Sequence, residues 1–116
     1  MRGIVIIIRP GKPAIETTHV EGPPDLAPIK DGLEGGYLEL VPGFNRINYE
    51  GELRRCVAFV DEDGIRKGLP YNLMATALWR AQLHPLDTNP FDSVNGDHIK
   101  GNMVVVFGDD EWMAEL

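Results

Sequence analysis

Arg66 and Lys67 stand just ahead of Gly68-Leu69-Pro70-Tyr71-Asn72, a turn that leads into a helix-forming apolar stretch. Cations beside the free N–H groups of a helix N-terminus can hold a phosphate, so Arg66, Lys67, Tyr71 and Asn72 form the first candidate ligand site. The plainer alternative is that Asn72 caps the helix and Pro70 rigidifies its entry. A second candidate is an interaction surface made of Tyr37, Glu39, Trp79 and Trp112. Tyr37 and Glu39 share one face of an alternating strand, opposite Leu38 and Leu40, and a tryptophan is a good partner anchor. A solvated strand face and core tryptophans fit the same residues.

Other chemistry is thinly supplied. Asp61-Glu62-Asp63-Gly64 opens like a calcium loop, yet counting from Asp61 puts Arg66 where the loop needs glycine and Asn72 where it needs a bidentate acid. A tight hairpin turn is the better reading. His19, His84 and His98 have no zinc-ligand spacing. Cys56 lies in an apolar run, and Ser93, the one serine, has no base signature beside it. Asp97-His98 is the one adjacent acid–histidine pair open to hydrolytic use. The expectation is a protein that is not an enzyme, with no catalytic residue, metal or cofactor.

With 116 residues and a net charge of −7, the chain has the size of one ordinary domain and an acidic balance. Residues 1–58 hold seven Lys/Arg against eight Asp/Glu, and residues 59–116 hold four against ten, so the second half carries most of the charge. That field repels phosphate backbones and argues against a general nucleic-acid binder. Asp109, Asp110 and Glu111 could instead imitate one, attaching to a DNA-binding protein. A domain of this size buries roughly two thirds of its unfolded surface without a disulfide or metal. The lone Cys56 fits a reducing compartment. The apolar run Ile4–Ile8 before Arg9-Pro10 is too short for a signal sequence or a membrane span, so a soluble cytoplasmic protein is expected.

Gly3–Ile8 reads as a buried strand, turning at Pro10-Gly11-Lys12-Pro13 into a second at 14–20. Asp25 is placed to cap a short helix over about 26–34 through Leu26, Ile29 and Leu33, ended by Gly35 or Gly36. Three β signals follow: Gly36–Val41, a strand from Asn48 or Leu53 to Val60, and Gly64–Leu69. The last two are joined by a type I′ turn at Asp63-Gly64. Asn72 precedes a helix over about 73–83 with a stripe of Leu73, Met74, Ala77, Leu78 and Ala81, stopped by His84-Pro85. Residues 85–100 read as a long irregular loop. Met103–Phe107 reads as a buried strand, and Gly108 to Trp112 as the start of a terminal helix.

The ordered segments Gly35-Gly36-Tyr37-Leu38-Glu39-Leu40-Val41, Cys56 to Gly64, Gly68-Leu69-Pro70-Tyr71-Asn72 and Ile99 to Val106 resemble the phage and actinobacterial family called domain of unknown function 3846. The resemblance covers most of the chain and departs from the family's pattern at 79–98, which is longer here. It implies a small α+β protein, encoded by bacteriophages, with no agreed enzymatic activity. A second resemblance, in strand order, is to short phage proteins of the anti-Thoeris type, which sequester cyclic nucleotide signals of bacterial immunity.

Together these readings predict a single α+β domain over 1–116. Its sheet is mostly antiparallel and twisted, with five or six strands, one main helix at about 73–83 and a short one at about 26–34. The function expected is that of a phage or prophage accessory protein binding a host protein, modulating host physiology or defence. The alternative is a sponge for a small phosphorylated ligand, a cyclic nucleotide or cyclic ADP-ribose type signal. Edge strands and small size make a homo-oligomer plausible.

Overall fold

In a computed structural model, residues 1–12, 15–83 and 98–116 are described. The chain is an α+β protein with element order β1 (Arg2–Ile8), β2 (Glu16–Glu21), α1 (Leu26–Gly32), β3 (Leu38–Leu40), β4 (Arg46–Tyr49), β5 (Glu52–Arg55), β6 (Val57–Asp61), α2 (Leu73–Leu83), β7 (Met103–Gly108) and α3 (Asp110–Glu115). A five-stranded sheet runs β2-β1-β7-β6-β3 with every neighbour antiparallel, and β4-β5 forms a separate two-stranded sheet.

The central strand explains the layering. Met103 to Phe107 are all fully buried, so β7 is covered on both faces. On one face Ile6, Ile8, Met103, Val105 and Phe107 pack with Ala58, Ala75 of α2 and Ile47 of the β4-β5 hairpin. On the other, Val5, Val104 and Val106 pack with Ile29 and Leu33 of the α1 region and Trp112 of α3.

Helix α1 begins as its cap residue requires: the Asp25 side chain accepts from the Ala27 N–H at 3.0 Å. It ends earlier than the glycine pair suggests. Leu33 is the C-cap, Glu34 takes the left-handed conformation (φ 59°), and the Gly35 N–H donates to the Lys30 carbonyl at 3.0 Å. This is a Schellman arrangement with a glutamate where glycine usually sits.

Two β expectations are corrected. Residues 53–60 do not form one strand: the chain changes partner at Cys56, whose N–H donates to the Asn45 carbonyl, so β5 pairs with β4 while β6 pairs with β7 and β3. Gly64–Leu69 is not a strand either. The Asp61 side chain accepts the Asp63 N–H at 2.8 Å, and turn bonds such as Lys67 N–H to the Asp63 carbonyl coil the segment until Gly68 (φ 67°) ends it. The type I′ hairpin lies instead at Glu50-Gly51, both in left-handed conformation (φ 52° and 78°), between β4 and β5.

The bounds expected for α2 hold, but its buried stripe is shifted. Ala75, Thr76, Ala77 and Arg80 face inward, while Leu73 is 51% and Met74 44% exposed. Ala75 packs into the core beside Ile6 and Val105, and the large apolar residues at the start of the helix stay outside it.

Candidate functional site

The turn before α2 is held together from inside. Asn72 is completely buried, and both ends of its side-chain amide are bonded to the backbone. Its Oδ1 accepts the Ala75 N–H at 3.0 Å, and its Nδ2 donates to the carbonyls of Ile8 and Gly101, both at 2.9 Å. The Asn72 N–H donates to Ile99 and the Gly101 N–H to Pro70, so residues 99–101 are stitched to the helix entry. Asn72 therefore caps the helix from inside the protein, with both its side-chain N–H groups already donated and no surface exposed.

The neighbouring cations are matched by carboxylates. Lys67 Nζ lies 2.7 Å from Asp61 and Arg66 lies 2.9 Å from Asp63. Tyr71 is half-buried, edge-on to His98, with Lys100 Nζ 5.2 Å from its ring centroid. The four residues grouped by sequence are thus split between a buried cap, two ion pairs and an aromatic contact. Beside them a cleft of about 430 Å³ sets Arg9, Lys12 and Lys67 against Glu34 and Asp61. Arg9 is bonded to both Glu16 and Glu34.

Burial pushes the Asp61 carboxyl up, but the Lys67 hydrogen bond, the Asp63 N–H and the nearby positive charges outweigh it and hold the group below the ordinary value. Because the folded value is depressed, the stability contributed is complete above the unfolded carboxylate pKa of about 4 and is lost as pH falls through the folded value. We expect the stability gap between wild type and Asp61→Asn in urea melts to be largest near neutrality and to shrink between about pH 5 and pH 2. A gap that does not change with pH would show that Asp61 contributes no charge-dependent stability.

At the other end of β1, a cleft of about 420 Å³ is lined by Arg2, His19, Glu21, Arg54 and Phe107. It adjoins one of about 750 Å³ between β5 and α3, lined by Glu52, Arg54, Arg55 and Asp110. Arg54 stacks over Phe107 at 5.1 Å and lies 3.9 Å from Glu52. Both clefts are lined by charges of both signs, which selects neither an anion nor a cation.

The second sequence group also divides. Trp112 is 1% exposed and belongs to the core, so it is not an interface residue. Trp79 is half-buried, its Nε1 donating to the Pro42 carbonyl at 2.7 Å, while Gln82 bonds the backbone of Asn45 and Arg46. These two residues fasten α2 to the β3–β4 connection and the first residue of β4. Tyr37 (75% exposed) and Glu39 do lie at the surface, on and beside the edge strand β3.

What sequence reasoning missed is the face opposite Glu39. Leu40 pairs with Phe59 across β3-β6, and Leu38 and Val57 lie on the same face. Helices α1 and α3 cover the β1-β7 half of this face, and Leu38, Val57 and Phe59 are left half-buried, with Leu40 60% exposed. The alternation of Leu38-Glu39-Leu40 was visible, but its apolar side reads as core until the helices are placed.

Cys56 is 4% exposed, and burial pushes its thiol up to about 12. At pH 8 it should react with a disulfide reagent at least about a hundredfold more slowly in the folded protein than in urea, since the thiolate is the reactive form. Equal rates would place the thiol at the surface.

Ser93, Asp97 and His84 lie outside the described residues, as does most of the loop expected at 85–100. Among the described residues, no group of three or more His, Cys, Asp or Glu side chains is arranged to hold a metal ion. Among them, too, no helix is long and apolar enough to cross a membrane. No family model, curated protein or solved structure matches the chain.

Proposed function

We propose that the protein works by binding a protein partner at the β3 end of its sheet, without performing chemistry. The observation that carries this reading is the partly covered apolar strip at the β3 edge, Leu40 exposed and Leu38, Val57 and Phe59 half-buried against the core, with Tyr37 and Glu39 on the other face of the same edge. Large apolar side chains left on a sheet face are sites of association when they are contiguous. The phosphorylated-ligand alternative has less support, because Asn72 is buried and Arg66 and Lys67 are already paired with carboxylates. A phage accessory role in a bacterial cytoplasm rests on the sequence resemblance alone.

The test is affinity capture with wild type and with Leu40→Asp, a change at an exposed position that leaves the core intact. A stoichiometric protein recovered by wild type and lost with Leu40→Asp is the expected result. Recovery of the same protein by both forms would move the site elsewhere. Recovery of a nucleotide in place of a protein would favour the sponge.

A further inference from the structure

The two edges of the five-stranded sheet differ. Strand β2 presents Glu16, Thr17, Thr18, His19, Val20 and Glu21, a polar row of the kind that discourages strand addition. Strand β3 presents Leu38, Glu39 and Leu40, and among the described residues it pairs with β6 alone.

The hydrogen-bond phase of β3 is fixed by its flanks. The Val41 N–H donates to the Ala58 carbonyl, and the Glu62 N–H to the Tyr37 carbonyl. Inward bonding therefore falls on Tyr37, Glu39 and Val41, and the N–H and C=O groups of Leu38 and Leu40 point away from β6 along the open edge. Their side chains lie on the Val57–Phe59 face, so an added strand would meet an apolar strip together with backbone groups that have no strand partner among the described residues.

The charged side chains of the two paired strands are acidic, and the cation beside them, Lys67, is taken up by Asp61. Residues 36–41 and 57–62 carry Glu39, Asp61 and Glu62 and no lysine or arginine. Asp61 is buried against Lys67, whereas Glu39 and Glu62 are exposed and lie on the face opposite the apolar strip. We infer that β3 is a docking edge for an extended segment of another protein in which apolar and basic side chains alternate. Its apolar residues would continue the Leu38–Leu40 strip, and its lysines or arginines would stand across from Glu39 and near Glu62. A second copy fits less well: the antiparallel register that engages Leu38 and Leu40 of both copies sets Glu39 directly opposite Glu39, and like charges so placed repel.

This inference rests on the reading of the β3 end as a partner surface, and its test is separate. Short synthetic peptides alternating valine with lysine, and valine with glutamate, are titrated into the intact protein and followed by amide chemical-shift mapping. The lysine peptide is expected to bind with a Kd on the order of 10–100 µM and to shift Leu38 and Leu40. Glu39→Lys should weaken that binding roughly tenfold, as should the glutamate peptide. Equal affinity for both peptides, or shifts confined to other elements, would overturn the inference. A concentration-dependent dimer dissolved by Leu40→Asp would assign the edge to a second copy and overturn it as well. Should the lysine peptide fail while Leu40→Asp still abolishes capture of a partner, the basic-strand inference falls and the partner surface stands.

Discussion

Asn72→Ala is expected to destabilise the protein by about 3–4 kcal/mol, a large part of the roughly 6–17 kcal/mol expected for a domain of this length. The change removes an N-cap worth about 1 kcal/mol and strips the donor from two carbonyls, at about 1–3 kcal/mol for each one left buried without another. The three bonds tie together different parts of the chain: the end of β1 at Ile8, the turn at Gly101 and the first turn of α2. A fall in Tm of roughly 12–16 °C should accompany the loss. Asn72→Asp separates the roles of the two side-chain ends. The carboxylate can still accept from Ala75 but cannot donate to Ile8 or Gly101, and it is a buried charge facing two carbonyl oxygens. It should be worse than alanine at pH 7. Its folded pKa is raised, so the deficit against wild type should narrow as the pH is lowered toward the unfolded carboxylate value. Urea melts at two pH values decide the matter, and a loss under about 1 kcal/mol for Asn72→Ala would mean that the network does not hold the fold.

The legible parts of the chain were those where local chemistry and long-range packing agree. The run Met103–Phe107 could only be a buried strand, Asp25 and Asn72 capped the helices they precede, and the start of α3 after Asp109 followed from its acids. The misreadings arose where a local signal served a different contact. Asp63-Gly64 has hairpin composition, but the Asp61 side chain takes the Asp63 N–H and turns the chain the other way. Glu50-Gly51 has a weaker signature and makes the hairpin, because Ile47 of the β4-β5 hairpin is anchored in the core. In α2 the large residues Leu73 and Met74 suggest the inner face, whereas Ala75 and Thr76 are the residues fully buried, and Thr76 Oγ1 accepts the Ile99 N–H at 2.9 Å. For the candidate site, Tyr37 and Glu39 were visible as a strand face. The apolar strip behind them depends on where α1 and α3 stop covering the sheet, a tertiary fact with no local signature.

Trp112 gives the second large prediction, and it also accounts for two glycines that need no unusual backbone. Gly3 and Gly108 are cross-strand partners in β1 and β7, and neither has a positive φ. A Cβ on Gly3 would fall within the Trp112 indole, and one on Gly108 would come within 2.4 Å of the Arg2 carbonyl oxygen and 2.8 Å of the indole. The pair is thus a flat slot in the sheet surface, made by omitting two side chains, and the indole lies in it. The position is enforced by Asp109, whose carboxylate accepts the Trp112 N–H and the Arg2 N–H, both at 2.9 Å, pinning the start of α3 to the beginning of β1. Removing the indole with Trp112→Ala should cost about 3–5 kcal/mol, and filling the slot with Gly3→Ala about 2–3 kcal/mol. The two losses share one cause, so they should not add. In the double variant Gly3→Ala should cost little, giving a coupling energy of about 2 kcal/mol in a double-mutant cycle. Additive losses would mean that Gly3 is required for some reason other than the indole, and the slot would have to be abandoned as the explanation.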